Sequence, residues 1–158
     1  MTQTYEGKMD AKGLKLAVVV SRFNEFVTDR LLNGAVDTIT RHNGLEKDID
    51  IIKVPGSYEL LFAVKKAAER GKYDAIIALG AIIRGQTSHY EFLSSAVISG
   101  LITISLDKNV PVSSGVLTTE SLEQAIERAG SKAGNRGSEA ALSAIEMANL
   151  TKILSKKG

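Results

Sequence analysis

Gly80-Ala81-Ile82-Ile83-Arg84-Gly85-Gln86-Thr87-Ser88-His89 leaves an apolar run, passes through glycine and enters a stretch of helical periodicity. Ser88 with Glu91 three residues later has the form of a capping box, which sets a helix start here and turns unpaired backbone N–H groups outward. Those donors, the Thr87 hydroxyl and the helix dipole could hold a phosphate without any metal. An ordinary glycine-containing turn is the competing reading. The spacing also approaches a nucleotide-binding P-loop, but Gln86 stands where that loop needs a lysine to reach the terminal phosphates, and the P-loop reading fails on it. His89, at the first helical position, would meet the positive end of the dipole, which favours an uncharged ring able to accept and return a proton. A lone histidine more often has a structural or solvated role, and His42, beside Asn43-Gly44 at a helix end, fits that role. His89 differs by its place next to a proposed cleft.

Further candidates follow other apolar runs. Phe23, between Arg22 and Asn24, is placed to stack on a flat ligand, with core packing an equal alternative. Glu59, in Pro55-Gly56-Ser57-Tyr58-Glu59, could accept hydrogen bonds from the hydroxyls of a polyol; a first-turn glutamate favoured by the helix dipole explains it as well. Arg128 could pair with a phosphate, although the pattern around it favours a surface contact with Glu123. The last cluster runs from Ser113 to Thr119.

Placing these residues requires short strands separated by helices. β-rich runs occupy Lys15–Val20, Ile49–Val54, Ala75–Leu79 and Pro111–Leu117, and helical periodicity marks Glu25–His42, Tyr58–Arg70, His89–Leu106, Leu122–Ala129 and Arg136–Leu154. Alternation of this kind predicts crossover units and a four-stranded parallel sheet covered by helices on both faces, a flavodoxin-like three-layer α/β sandwich. Ligands of such sheets bind outside the carboxyl ends of the strands, where the clusters lie. Gly130 through Asn135 reads as a hinge-like loop rather than a domain boundary, and Thr4-Tyr5-Glu6-Gly7 as an extended edge segment. The 158 residues, 44% of them hydrophobic, are expected to form a single domain spanning 1–158.

Composition excludes several classes. With no cysteine there are no disulfides or thiolate metal sites, and two separated histidines do not point to a zinc centre. The formal charge of +2 comes from scattered basic residues, without the stripe or interleaved aromatics of a nucleic-acid binder. No apolar run is long enough to span a bilayer and the polar start lacks a secretory pattern, so no membrane association is expected and the cytoplasm is the expected location. A receiver domain would need an acidic pair after the first strand, and a dinucleotide oxidoreductase a G-x-G-x-x-G there; Ser21-Arg22-Phe23 supplies neither.

Arg22-Phe23-Asn24, Val54-Pro55-Gly56-Ser57-Tyr58-Glu59, Ile83 through His89, Gly115-Val116-Leu117-Thr118-Thr119 and the run from Glu123 to Gly130, in this order and spacing, resemble the lumazine synthase family over essentially the whole chain. That resemblance implies an enzyme of riboflavin biosynthesis that condenses 5-amino-6-(D-ribitylamino)uracil with 3,4-dihydroxy-2-butanone 4-phosphate to 6,7-dimethyl-8-ribityllumazine, with no cofactor and no metal. Phe23 would stack on the pyrimidine; Ser57, Tyr58 and Glu59 would hold the ring and ribityl chain; Ala81, Ile82, Ile83 and Ser114 would line the site. Gln86, Thr87 and Arg128 would bind the phosphate and His89 would transfer protons. The family further implies homopentamers with active sites between subunits, Thr4 to Gly7 added to a neighbour's sheet, assembly of pentamers into a sixty-subunit icosahedral shell, and riboflavin synthase as a candidate partner.

The chain departs from that family pattern at Leu61, where proline is usual, at Ser114 for phenylalanine, at Arg136 for lysine, and at Gln86 for alanine, aspartate or glutamate. Leucine at 61 is expected to leave the helix start less constrained. Serine at 114 removes apolar surface near the pyrimidine. The competing reading is therefore a catalytically weakened, structural or riboflavin-binding shell of the same fold.

Overall fold

Two strands of almost unbroken apolar sequence form the middle of the sheet. β1 (Leu16–Ser21) and β3 (Ala75–Ile83) are buried at every position, as strands covered by helices on both faces must be. They are flanked by β2 (Ile49–Val54) and β4 (Val112–Thr119), giving the parallel order β2-β1-β3-β4. The computed structural model describes residues 1–85 and 89–156. Helices α1 (Glu25–Arg41) and α5 (Arg136–Leu154) cover one face, where Leu16, Val18 and Val20 alternate inward with Ile77 and Leu79 of β3. Helices α2 (Leu60–Glu69) and α3 (Tyr90–Lys108) cover the other, over Ala17, Val19, Ile76 and Ala78. This period-2 division is what makes the fold a flavodoxin-like α/β sandwich. Each large aliphatic side chain removed from water in this way contributes about 1.5–3 kcal/mol.

Two boundaries differ from the sequence-based expectation in informative ways. β3 does not end at Leu79 but continues through Gly80 to Ile83, because β4 pairs with it as far as Ile83↔Thr119. Pairing with β1 stops at Val20↔Leu79, so β3 outruns its neighbour on that side. The segment 130–135, expected as a loose loop, contains a small antiparallel ladder between β5 (Ala129–Ser131) and β6 (Gly134–Asn135), following the short helix α4 (Leu122–Glu127). Gly130 and Gly134, at φ of 110° and 76°, supply the left-handed turns of that ladder.

The ladder delivers Asn135 as the N-cap of α5. Its Oδ1 accepts from the backbone N–H groups of Gly137 (2.8 Å) and Ser138 (3.1 Å), and its Nδ2 donates to the Arg30 carbonyl of α1 (3.0 Å). One side chain thus starts α5 and locks it to α1. Asn135→Ala should lower the unfolding free energy by about 1–2 kcal/mol, read as a reduced urea midpoint with an unchanged slope.

At the start of the chain, the Asn149 side chain donates to the carbonyls of Lys8 (2.7 Å) and Asp10 (2.8 Å), tying that segment to α5. Residues 1–6 lie exposed and pair with no strand among the described residues. Among the described residues no helix is long and apolar enough to cross a membrane.

Candidate active site

The β1–α1 turn is held open by backbone bonds that extend the sheet. Arg22 N–H donates to the Val54 carbonyl (2.8 Å) and Phe23 N–H to that of Pro55 (2.9 Å), so the chain stays in register with β2 for two residues past the strand. Asn24 then takes a left-handed conformation (φ 62°), which asparagine tolerates. Its Nδ2 crosses to the Ala81 carbonyl (3.2 Å) instead of capping α1, and so ties the turn to the overhanging part of β3. Phe23 is left 56% exposed at the carboxyl end of the sheet, which removes core packing as its explanation.

Opposite it, Ser57–Glu59 form a 3₁₀ turn that leads into α2. Ser57 is buried, Tyr58 is 79% exposed and Glu59 is half-buried. Gly56 leaves room between them: the Glu59 Oε1 and Phe23 Cβ lie 3.4 and 3.9 Å from where a β-carbon would stand. An aromatic face and a carboxylate thus flank one bare backbone position, a geometry suited to a flat ring carrying a hydroxylated chain. Beneath them the hydroxyls of Ser57 and Ser21 both approach Gly80. The Ser21 hydroxyl is buried and has no hydrogen-bond partner among the described residues. Ala81, Ile82 and Ile83 bury their side chains in the core, so what they can present to a ligand is backbone.

The start of α3 is described from His89 onward. The helix begins at Tyr90 with His89 as its N-cap, one position earlier than the sequence reading placed the histidine. The Glu91 carboxylate accepts from Arg84 Nη2 (3.0 Å), and Ser88, the other half of the expected box, lies outside the described residues. The Arg84 Nη1 bonds both carboxylate oxygens of Glu120 (3.3 Å each). Glu120 first, and then the charge of Glu91, raises the guanidinium above its ordinary pKa. His89 and Tyr58 line a groove of about 800 Å³ between α2 and α3, with Leu61, Phe62, Phe92 and Leu93. Leu61 does not leave the start of α2 loose as expected: its methyl groups sit over Gly100 of α3, 2.5 and 2.7 Å from where a β-carbon would be. Gln86 and Thr87, the expected phosphate ligands, fall outside the described residues.

Ser114 and Arg128 lie elsewhere. Ser114 is the third residue of β4, level with Ala78, and therefore roughly 16 Å behind the carboxyl end of its own strand at a rise of about 3.3 Å per residue. It shares a cavity of about 220 Å³ with Arg128 and Arg136, two cations beside an edge strand. Arg128, the C-cap of α4, makes no ion pair with Glu123 among the described residues, so the expected surface pairing does not form; Arg136 pairs with Glu139 (2.8 Å). The expected site residues thus divide into two groups. Phe23, Ser57, Tyr58, Glu59 and His89 gather around the ends of β1, β2 and β3, while Ser114 and Arg128 face a different surface.

Residues 13–152, from before β1 to the last turn of α5, match the 6,7-dimethyl-8-ribityllumazine synthase family. The chain belongs to that family. Its activity is accordingly the lumazine-forming condensation of riboflavin biosynthesis. A substrate of lumazine synthase chemistry, a pyrimidine with a ribityl chain, is a flat ring bearing a polyol. Sequence reasoning missed two residues that organise the first group, Asn24 and Arg84. Asn24 stands directly before a helix, where a cap is the obvious expectation, and no local pattern signals that its amide reaches β3. Arg84 carried a weak signal, a cation next to the glycine turn.

Proposed function

We propose that this member of the family builds each active site from two copies of the chain: the cleft bearing Phe23, Ser57, Tyr58, Glu59 and His89 from one, and Ser114, Arg128 and Arg136 from the next. The observation that carries this reading is that Ser114 lines a cavity with Arg128 and Arg136, whereas Tyr58 and His89 line a separate groove between α2 and α3. Association has a surface ready for it. Helix α3 has only Glu91, Asp107 and Lys108 as charged residues, and its outer side, with Phe92 80% exposed and Leu106 76% exposed, continues the apolar groove. A helix apolar all round is a buried helix, and the sheet covers only one side of this one. Subunits arranged as a ring with heterologous contacts, the family's pentamer, would cover the other and give the exposed residues 1–6 a neighbouring sheet edge to join. A sixty-subunit shell of pentamers in the cytoplasm is the larger assembly we assign.

In the assembled site Phe23 stacks on the pyrimidine while Ser57, Tyr58 and Glu59 hold the ring and the ribityl hydroxyls, with the overhanging backbone of Ala81, Ile82 and Ile83 along its edge. The neighbour's Arg128, with Gln86 and Thr87, binds the phosphate of the four-carbon ketone. The pyrimidine amine attacks the ketone and water leaves to form an imine; phosphate is then eliminated, and the ribitylamino nitrogen closes the second ring with loss of a second water. His89 accepts and returns the protons these steps move. Holding both substrates in register supplies much of the acceleration, up to about 7–11 kcal/mol in favourable intramolecular cases.

Mixed assembly tests the shared site. His89→Ala and Arg128→Ala subunits, each feeble alone, should regain about a quarter of wild-type activity when unfolded together and reassembled at equal ratio, since one site in four draws intact halves from both. Activity no higher than the average of the separate variants would sink the shared site. Wild-type protein that makes lumazine no faster than the uncatalysed condensation would instead favour a weakened shell.

A further inference from the structure

We propose that Arg84 is a positioning residue for His89, pinning the first turn of α3 to the ends of β3 and β4. The inference rests on the reading of His89 as the proton-transfer group and deepens it. His89 stands at the junction between the chain leaving β3 and helix α3, and a proton donor is useful only if that junction is fixed to within a fraction of an ångström of the substrate.

Arg84 is built into the sheet and reaches the helix. Its backbone N–H donates to the Thr119 carbonyl (2.9 Å), which makes it the last residue joined to β4. Its guanidinium then bonds Glu91 in the first turn of α3 and Glu120 just past β4, and its Cζ lies 5.6 Å from the centre of the Tyr90 ring. Residues 84 and 91 are the two sides of the segment that leads to His89, and one side chain staples them together. The fork geometry matters, because a single planar guanidinium serves both carboxylates at once, whereas a lysine ammonium offers one compact charge. With Nη1 on Glu120 and Nη2 on Glu91, the cation is committed to the two carboxylates and not to a substrate phosphate. All three side chains are at least half exposed, so these bonds add little to global stability. Their consequence is placement.

The test is a double-substitution cycle in the assembled enzyme. Arg84→Gln should lower kcat about ten-fold with an unchanged melting temperature, Arg84→Lys should fall between it and wild type, and Glu91→Gln should reproduce most of the Arg84→Gln loss. His89→Ala should cost about 10²-fold in the wild-type background but only a few-fold when added to Arg84→Gln, because a misplaced histidine has little left to lose. Losses that multiply to about 10³-fold, or an Arg84→Gln enzyme with wild-type kcat while His89→Ala is impaired, would overturn the role of Arg84. A His89→Ala enzyme with wild-type kcat removes the histidine reading itself, and the single variant identifies that failure before the cycle is closed.

Discussion

Exchange of His89 for alanine is expected to lower kcat about 10²-fold, the lower end of what a positioned acid–base group contributes, and to leave KM for both substrates within about three-fold. The lower end follows from how the site works. The reaction joins two bound molecules, and the stacking surface of Phe23, the hydroxyl-binding turn at Ser57–Glu59 and the phosphate contacts all survive the substitution. What disappears is the side chain at the N-cap of α3, to which the proposed mechanism gives the protons moved in imine formation and phosphate elimination. Because that group acts on protons in flight and not on the resting substrates, binding should hardly change. Following lumazine fluorescence at saturating substrate and subtracting the uncatalysed condensation gives the number directly. A kcat within two-fold of wild type would show that His89 only lines the groove it shares with Tyr58.

The fold was largely legible in the sequence, since unbroken apolar runs such as Leu16–Val20 and Ala75–Leu79 admit few structures other than strands covered on both faces. Helices α1 and α5 run within one residue of where the sequence placed them. What could not be read was decided by contacts between elements. Glycine at position 80 looked like the end of β3, yet β4 carries the ladder four residues further. Glu91 had a purely local reading, yet its carboxylate bonds Arg84, seven residues away, which no local pattern pairs with it. That Phe23, Ser57 and Glu59 lie near one another was legible because residues after strand ends converge whatever the loop details. Ser114 was assigned to the same cleft on family likeness alone. Its period-2 environment is that of any strand residue, and only the register with Ala78 shows how far back it lies. The outer face of α3 posed a related ambiguity, because an apolar face packed on a core and one packed on a neighbouring subunit have the same composition.

Gly80→Val is expected to lower kcat/KM about 10²-fold while costing only about 1–3 kcal/mol of stability, so the protein should still fold and assemble. A β-carbon at Gly80 would stand 2.9 Å from the Ser57 hydroxyl, 3.1 Å from Leu60 Cδ1 and 3.1 Å from the Ser21 hydroxyl, and the two further methyl groups of valine need more room still. These neighbours differ in how easily they yield. Leu60 is fully buried at the start of α2, and Ser21 is buried and paired with Val54 of β2. The 3₁₀ turn at Ser57–Glu59 is short, with Tyr58 exposed and Glu59 half-buried, so it is the element that gives. Moving Ser57 carries Tyr58 and Glu59 with it, and both leave their positions opposite Phe23. The prediction therefore has a signature beyond lost activity: KM for the ribitylaminopyrimidine should rise, KM for the ketone phosphate should stay near its wild-type value, and Gly80→Ala should show the same split in milder form. A Gly80→Val enzyme whose kcat/KM falls no further than its stability would show that β3 and the 3₁₀ turn are not in rigid contact, and that the cleft is set by the β1–α1 turn alone.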